Sequence, residues 1–343
     1  MDKSDKLIRM QYIINEAVKK QGNTKIKYGM EYVARKSTGS VYFDYLLSGG
    51  FEPATIAIYT GQASTGKSSM GLRNIAEAQR RGDTCAWIRV EKGFNRQYME
   101  NLGINVDELL IIEGIKYGED YLDILVDLVE DEIDMIVVDS ISGIIPKRVQ
   151  ENPLEKESPG VQAKMLTTML GKLNSINKSS IIILISQVRQ AFTTGYVKYN
   201  FSGGFAAQHY ADYILEFRLK ERLSDDLKEV GSKVLKTEDK KDVTGVNMLI
   251  YTHKCRRGSA HKVGEMYYNF ETGKIDEIGE LIKVSVKLGI LDYAKGWIRL
   301  TDEFKELWEL PSNNIRHKDL KGMVTTNQEL HDFLIEEVVK RYD

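Results

Sequence analysis

The sequence predicts an α/β fold with a mostly parallel central β-sheet, and three observations carry this prediction. Short apolar runs alternate with amphipathic segments from about residue 55 to residue 270, as in consecutive βα units. One of these runs leads directly into a glycine-rich loop that opens a helical pattern. Two others, Met135–Val138 and Ile181–Ile185, are apolar throughout, which is typical of strands buried on both faces of a parallel sheet.

The composition is that of a globular protein and excludes several classes. Hydrophobic residues make up 42% and charged residues 29% of the 343 residues. No stretch approaches the roughly 18 apolar residues of a membrane span, and the N-terminus has no signal-peptide pattern, so we expect a cytoplasmic protein with no membrane partner. Cys85 and Cys255 are too few for a disulfide framework or a zinc site. The net charge of −2 means that any nucleic-acid contact is local.

Three regions follow one another along the chain. Residues 1–36 contain an amphipathic helix, which must bury its apolar stripe on its own domain or on a neighbouring molecule. Residues 37–275 hold the βα pattern. The sheet pattern stops after Phe270, and short helical segments in residues 276–343 predict a small α-rich C-terminal domain. Within the core, Lys220–Val243 is rich in charge and lacks aromatic residues, so we interpret it as a surface hairpin or loop.

A phosphate-binding loop is the most specific motif. The β-rich run Thr55–Thr60 leads into G-x-x-x-x-G-K-S and then into a helical pattern. The loop and its first helical residues are Gly61, Gln62, Ala63, Ser64, Thr65, Gly66, Lys67, Ser68 and Ser69. Backbone N–H groups at a helix start wrap phosphates, Lys67 neutralises the β- and γ-phosphates, and Ser68 can hold Mg²⁺. The alternative is a glycine-rich turn with a solvated lysine, but all four motif positions match in the required setting.

Two carboxylates complete a candidate nucleotide site. Asp139 ends the apolar run Met135–Val138, where it can orient Mg²⁺ through a water. Glu91 follows Thr84–Val90, the next strand along the chain, and is the candidate for activating the attacking water. Each is weak evidence alone, because strands often end in Asp at a turn and Glu91 is equally a surface glutamate at a strand end.

Taken in order, the motifs resemble those of the bacterial RecA recombinase family and its phage-encoded UvsX-type relatives. The matching blocks are Ser37–Ser40 (STGS), the phosphate loop, Glu91, Val137–Ser140 (VVDS), Ile185–Arg189 (ISQVR), Ser202–Gly204 (SGG), Gly279–Leu281 (GEL) and Lys295–Trp297 (KGW). They cover nearly the whole chain. The resemblance implies a RecA-like P-loop ATPase core preceded by an oligomerisation helix, with ATP and Mg²⁺ as cofactors.

The resemblance also implies which residues contact the adenine base and which one activates the attacking water. Glu91 takes the role of catalytic glutamate, and Tyr98 that of the aromatic residue that stacks on adenine, with Asn95 near the base edge. Relatives commonly have acidic residues where this chain has Arg89 and Asn95, so base preference and turnover stay open. The alternative for Tyr98 is an ordinary aromatic residue on a helix face.

Three further residues have a resemblance-based role beside a simpler alternative. Gln187 ends the buried strand at residues 181–186, so its amide lies near the γ-phosphate and can order the following loop; the family uses this position as its allosteric sensor. The alternative is a glutamine that caps a strand end. Lys254 and Arg256 match the cations that reach the nucleotide of the neighbouring subunit in the family. Their alternative is a basic surface patch.

Two loops are the candidate DNA-binding segments. The loop Val188–Gly204 carries aromatic and basic residues without Asp or Glu, which suits single-stranded nucleic acid bound without sequence specificity. Its candidate contacts are Arg189, Phe192, Tyr196, Lys198, Tyr199, Phe201, Gly203 and Gly204. The alternative is an ordered hairpin anchored by its aromatic residues. In the loop at residues 147–160, which is mixed in charge, only Lys147 and Arg148 are candidate phosphate contacts.

The resemblance implies a DNA-dependent ATPase for homologous recombination and DNA repair. It would form helical homo-oligomeric filaments on single-stranded DNA and exchange strands with homologous double-stranded DNA, with mediator and single-stranded-DNA-binding proteins as partners. Two other classes stay open, a hexameric helicase or DNA-maintenance ATPase with the same core and a non-catalytic annealing or loading protein. No large accessory domain or zinc module is visible before the phosphate loop, which disfavours the first, and Glu91 disfavours the second.

Overall fold

The computed structural model describes residues 2–21, 33–90, 95–151, 159–187, 189–191, 198–200, 209–223, 244–256, 258–269, 272–300, 302–308 and 312–342. The chain divides into two compact units, Met1–Ala34 and Arg35–Asp343. In the first unit, the helix α1 (Lys3–Gln21) exposes Ile8 and Ile13 among other apolar side chains. Within the described ranges no helix is both long and apolar enough to cross a membrane.

The larger unit is built on one eight-stranded sheet. Its strands are β1 (Thr55–Gly61), β2 (Cys85–Arg89), β3 (Leu110–Glu113), β4 (Met135–Asp139), β5 (Ile181–Gln187), β8 (Tyr213–Leu223), β9 (Gly245–Cys255) and β10 (Val263–Asn269). A separate two-stranded ribbon is formed by β6 (Arg189–Ala191) and β7 (Lys198–Asn200). The order across the sheet is β10-β9-β8-β1-β5-β4-β2-β3. All neighbours from β8 to β3 are parallel, and β9 and β10 are antiparallel at one edge. The predicted mostly parallel sheet is confirmed.

Helices cover both faces of this sheet, and further helices follow it in the C-terminal part of the unit. They are α2 (Val41–Leu46), α3 (Lys67–Arg80), α4 (Arg96–Asn101), α5 (Gly118–Glu130), α6 (Lys147–Glu151), α7 (Pro159–Ile176), α8 (Glu277–Lys287), α9 (Asp302–Leu307), α10 (His317–Thr326) and α11 (Gln328–Val339). Successive side chains of a strand point to opposite faces. Along β1, Ala57 and Tyr59 therefore join the hydrophobic cluster of α2 and α3, whereas Ile56 and Ile58 join the cluster of α5 and α7.

Buried hydrogen bonds brace the strand and helix on either side of the phosphate loop. Tyr59 Oη donates to Asn74 Oδ1 at 2.7 Å, which ties β1 to α3. Asn74 Nδ2 donates in turn to the carbonyl oxygen of Thr38 at 2.7 Å. The backbone N–H of Thr38 donates to Asp44 Oδ1 at 2.7 Å, and Ser40 caps α2. The STGS block therefore anchors the loop's neighbours from outside the nucleotide site.

Two segments differ from the sequence-based expectation. β8 runs to Leu223, so the first four residues of the predicted loop are strand residues, and residues 224–243 lie outside the described residues. The sheet pattern does not stop after Phe270, because β11 (Asp292–Ala294), β12 (Trp297–Arg299) and β13 (Asn314–Arg316) form an antiparallel sheet. Apolar residues of this part join the same hydrophobic cluster as α2. The domain boundary at residue 275 stays a prediction.

Candidate nucleotide-binding site

The loop between β1 and α3 has a backbone that requires its two glycines. Gly61 and Gly66 have positive φ angles of 149° and 80°. A Cβ atom on Gly61 would overlap the carbonyl oxygen of Phe217, and one on Gly66 would overlap the sulfur of Met248. Gly66 is also the N-cap of α3 and supplies no side-chain cap. The N–H groups of the first helical turn are therefore directed at the loop, as anion binding requires.

The Lys67 side chain is buried inside the loop, with 5% of its surface exposed. Its ammonium donates to the carbonyl oxygen of Gln62 and to Thr65 Oγ1, the latter at 3.4 Å. Thr65 Oγ1 donates to the same carbonyl at 2.9 Å. A buried ammonium is costly unless polar groups pair with it. The loop thus holds a positive charge at the helix N-terminus, where a phosphate group would complement it.

A cavity of about 780 Å³ lies over the loop and is lined by the predicted nucleotide residues except Gly61. The predicted residues in its lining are Gln62, Ala63, Ser64, Thr65, Gly66, Lys67, Ser68, Ser69, Asn95, Tyr98, Asp139 and Gln187. The lining also includes Leu219, Arg222 and Val246, which sequence analysis did not single out. The volume falls within the range of pockets that hold small molecules and cofactors.

Strand register explains why Asp139 and Gln187 reach the same cavity. Gln187 is paired with Gly61 across β5 and β1, and Asp139 is paired with Ile185 across β4 and β5. The Gln187 N–H donates to Ser142 Oγ at 2.8 Å, which fixes the end of β5. Because the carboxyl ends of parallel strands share one sheet edge, a carboxylate and an amide meet at the phosphate loop.

The residues present fit a magnesium ion that binds together with a nucleotide. Ser68 and Asp139 line the cavity, and their hydroxyl and carboxylate oxygens are ligands that Mg²⁺ accepts beside water and phosphate oxygens. Among the described residues, no group of three or more His, Cys, Asp or Glu side chains could hold a metal ion by itself. The nucleotide's own phosphates would have to supply part of the coordination shell.

Glu91 lies outside the described residues, but the chain just before it is placed. Arg89, the last residue of β2, is paired with Asp139. The N–H of Val90 donates to the carbonyl oxygen of Asp139 at 2.8 Å. Strand β2, which leads to Glu91, therefore ends beside the backbone of Asp139. The catalytic role of Glu91 stays a prediction.

Tyr98 and Asn95 enter the cavity from the start of α4. The Tyr98 hydroxyl donates to Ser69 Oγ at 3.1 Å and contacts the hydroxyl of Tyr268. Asn95 is the N-cap of α4, and its Oδ1 accepts from the Tyr98 N–H at 2.8 Å. This cap was not predicted from the sequence, although Asn before a short helical segment is its usual signal. Burial raises the pKa of Tyr268 above its usual range, so the hydroxyl that holds Tyr98 stays neutral.

Lys254 and Arg256 lie away from the cavity of their own chain. Arg256 donates to the His209 carbonyl oxygen at 2.6 Å and lies 3.3 Å from Asp212 Oδ1. Lys254 Nζ donates to the same carbonyl at 3.2 Å, and burial, followed by the charge of Arg256, lowers its pKa. The β8 residue paired with Gly61 is Phe217, and Asp212 precedes it by five positions. Five strand residues span roughly 16 Å, which separates Asp212 from the phosphate loop. The two cations therefore lie at the opposite end of the strands from the phosphate loop.

The candidate DNA contacts are only partly described. Lys147 and Arg148 lie in α6, and Lys147 Nζ is 4.9 Å from the ring centroid of Tyr117. The backbone of β6 and β7 forms an antiparallel ribbon in which Arg189 is paired with Asn200. Five of these candidate contacts lie outside the described residues, namely Phe192, Tyr196, Phe201, Gly203 and Gly204. For the other three, Arg189, Lys198 and Tyr199, the structure describes the backbone but not the side chain. Their role in DNA binding stays a prediction.

The sheet order and the loop–helix cavity define a P-loop nucleotide-binding protein with a RecA-like fold. The family model of the RecA N-terminal domain matches residues 6–251. Protein RecA of Methylobacterium radiotolerans is 32% identical over 274 residues, which cover 78% of this chain and 71% of the relative. Protein RecA of Campylobacter hominis is 30% identical over 282 residues, which cover 80% and 76%. The chain therefore belongs to the RecA family of P-loop ATPases.

A solved structure supports the fold. The crystal structure of the RadB recombinase aligns with a TM-score of 0.50 at 18% identity, covering 69% of this chain and 97% of that one. At this level of identity the similarity concerns the fold alone.

Proposed function

We propose that this protein is an ATP-dependent recombinase that assembles as a helical filament on single-stranded DNA and pairs it with homologous double-stranded DNA. The observation that supports this most directly is the cavity in which Lys67, Asp139, Gln187 and Tyr98 meet in a chain of the RecA family. Mediator and single-stranded-DNA-binding proteins are the further partners that we infer. DNA repair is the process that this activity serves.

ATP would be bound mainly through its phosphates. The N–H groups at the start of α3 and the buried ammonium of Lys67 complement their negative charge. Ser68 and Asp139 would hold Mg²⁺, which neutralises charge on the β- and γ-phosphates. Glu91 is our candidate for accepting the proton of the attacking water, and Tyr98 for stacking on the base.

We infer that Lys254 and Arg256 act on the nucleotide of a neighbouring subunit. Their position at the opposite end of the strands from the phosphate loop supports contact in trans and argues against contact in cis. Cations supplied by a neighbour would stabilise γ-phosphate charge only in the assembled oligomer. Hydrolysis and filament formation would then be coupled.

Gln187 is the candidate link between the nucleotide and DNA. Gln187 lines the cavity, its backbone is paired with Gly61, and the loop Val188–Gly204 starts at the next residue. A change at the γ-phosphate would therefore act directly on the first residues of that loop, where Arg189 begins β6.

Two assays on the purified protein test this function. We expect single-stranded DNA to stimulate ATP hydrolysis, and we expect strand exchange only with a homologous duplex. Lys67→Ala, measured in parallel, reports contaminating ATPase activity. DNA binding without turnover would favour the annealing or loading protein. Duplex unwinding that ignores homology would favour the helicase.

A further inference from the structure

One charged residue of the nucleotide cavity belongs to none of the sequence motifs. Arg222 lies near the end of β8, in a segment whose composition predicted a surface loop. Among the residues that the structure describes, the charged members of the cavity lining are Lys67, Arg222 and Asp139. Arg222 is therefore the second cation of the lining beside the lysine of the phosphate loop.

A β-bulge directs Arg222 towards the cavity. Leu219 is paired with Met248 and Arg222 with Val246, so three steps along β8 oppose two steps along β9. The extra residue falls between Leu219 and Glu221. In a regular strand, residues three positions apart point to opposite faces, but the bulge brings Leu219 and Arg222 to the same face.

This face of β8 and β9 is the one that borders the phosphate loop. Met248 packs so closely against Gly66 that its sulfur occupies the space of a Cβ atom there. Leu219 and Val246 line the cavity together with Arg222. The Arg222 side chain is exposed, and no hydrogen bond or ion pair joins it to another residue of the described ranges. A guanidinium in this position is suited to bind a phosphate through two parallel hydrogen bonds.

The sheet order indicates which part of a nucleotide Arg222 would meet. Asp139 and Gln187, on β4 and β5, mark the magnesium and γ-phosphate side, and both strands lie on one side of β1. Arg222, on β8, lies on the other side of β1. We propose that Arg222 is a nucleotide-binding residue that contacts, within its own subunit, the part of the nucleotide that ATP and ADP share. This inference rests on the proposed nucleotide function of the cavity.

Isothermal titration calorimetry of the purified 343-residue protein with ATP and with ADP tests the assignment. Arg222→Ala is expected to weaken both affinities by roughly tenfold and to leave their ratio unchanged. Arg222→Lys keeps the charge but loses the planar guanidinium, so its nucleotide affinities are expected to lie between those of the wild type and those of Arg222→Ala. The matched control is Lys220→Ala, which removes the same charge from the same strand. Lys220 does not line the cavity but lies 2.9 Å from Glu265.

The outcomes separate this inference from the proposed function. If Lys67→Ala abolishes binding and Arg222→Ala binds like the wild type, the role of Arg222 is wrong and the nucleotide site stands. If Arg222→Ala lost affinity for ATP but not for ADP, Arg222 would not contact the part of the nucleotide that the two share. An equal loss in Lys220→Ala would attribute the effect to general surface charge and overturn the inference. A wild-type protein that binds neither nucleotide would contradict both proposals.

Discussion

At the scale of single residues, the buried carboxyl group of Glu280 joins α8 to the segment before α2. Its Oε2 accepts from Ser40 Oγ at 2.8 Å, while Oε1 has no hydrogen-bond partner among the described residues. Burial raises its pKa from an ordinary 4.5 to about 8, against the opposing effects of the Ser40 hydrogen bond and the Arg73 charge. Between these values the unfolded chain loses a proton that the folded protein keeps. Stability should therefore fall as the pH rises from 4.5 to about 8.

Glu280→Gln should reduce this pH dependence, because an amide still accepts from Ser40 but does not ionise. Urea unfolding at about pH 5 and about pH 8 measures the free energy of unfolding of both proteins. We expect the decrease between these two pH values to be smaller in Glu280→Gln than in the wild type, by an amount on the order of a few kcal/mol. Burial raises the pKa of Asp44 to about 6, but Asp44 is present in both proteins and its contribution cancels in the difference. An identical pH dependence in the two proteins would contradict an ionisable Glu280.

Glu91→Gln addresses the catalytic assignment. The amide can hold a water molecule but cannot accept its proton, so nucleotide affinity should stay near the wild-type value while turnover falls at least about 100-fold. Titration calorimetry gives the affinity, and steady-state hydrolysis with single-stranded DNA gives the turnover. Should turnover be unchanged, another group must accept the proton.

At the scale of elements, the end of β5 and the loop that follows it can be tested separately. Gln187→Ala should leave ATP affinity nearly intact, because Lys67, Ser68 and the backbone amides supply most phosphate contacts. The difference in DNA affinity between the ATP and ADP states should shrink, which is a coupling free energy of typically about 1 to 3 kcal/mol. Fluorescence anisotropy on a labelled single strand at one salt concentration measures it.

The matched comparison is a loop variant in which four aromatic residues are replaced by Ala, namely Phe192, Tyr196, Tyr199 and Phe201. This variant should bind DNA more weakly in both nucleotide states, by about 1 to 3 kcal/mol for each side chain that stacks on a base. A Gln187→Ala protein with the full ATP-to-ADP difference would refute the sensor role. Normal DNA binding by the loop variant would move the DNA site elsewhere.

Elements also show what sequence analysis could predict and what it could not. Gly61, Asp139 and Gln187 were predictable as a group, because each follows a predicted strand and parallel strands bring such ends to one sheet edge. The place of Arg222 was not, because it depends on a bulge between strands whose pairing has no local signal.

Two other features were missed for related reasons. The strands β11, β12 and β13 have three residues each, too few for an alternating pattern to be recognised. The Ser40–Glu280 hydrogen bond joins residues that are 240 positions apart, and the STGS and GEL blocks carry no sign of it. Long-range pairs of this kind depend on how the elements pack.

At the scale of the whole molecule, the opposite positions of the phosphate loop and the Lys254–Arg256 pair predict a shared active site. A double variant with Ala at both cations should hydrolyse ATP poorly and form weakened filaments. Mixed with Glu91→Gln subunits, it should regain part of the activity, because some interfaces combine an intact Glu91 with intact cations. Hydrolysis assays over a range of mixing ratios measure this. Absence of rescue at every ratio would argue that the cations do not act in trans.

The central claim is that nucleotide binding drives helical assembly on single-stranded DNA, and electron microscopy tests it most directly. The protein is imaged with single-stranded DNA and a slowly hydrolysed ATP analogue, with Lys67→Ala as the control. We predict open helical filaments that the control does not form. Closed rings, or filaments that form equally well in the control, would contradict it.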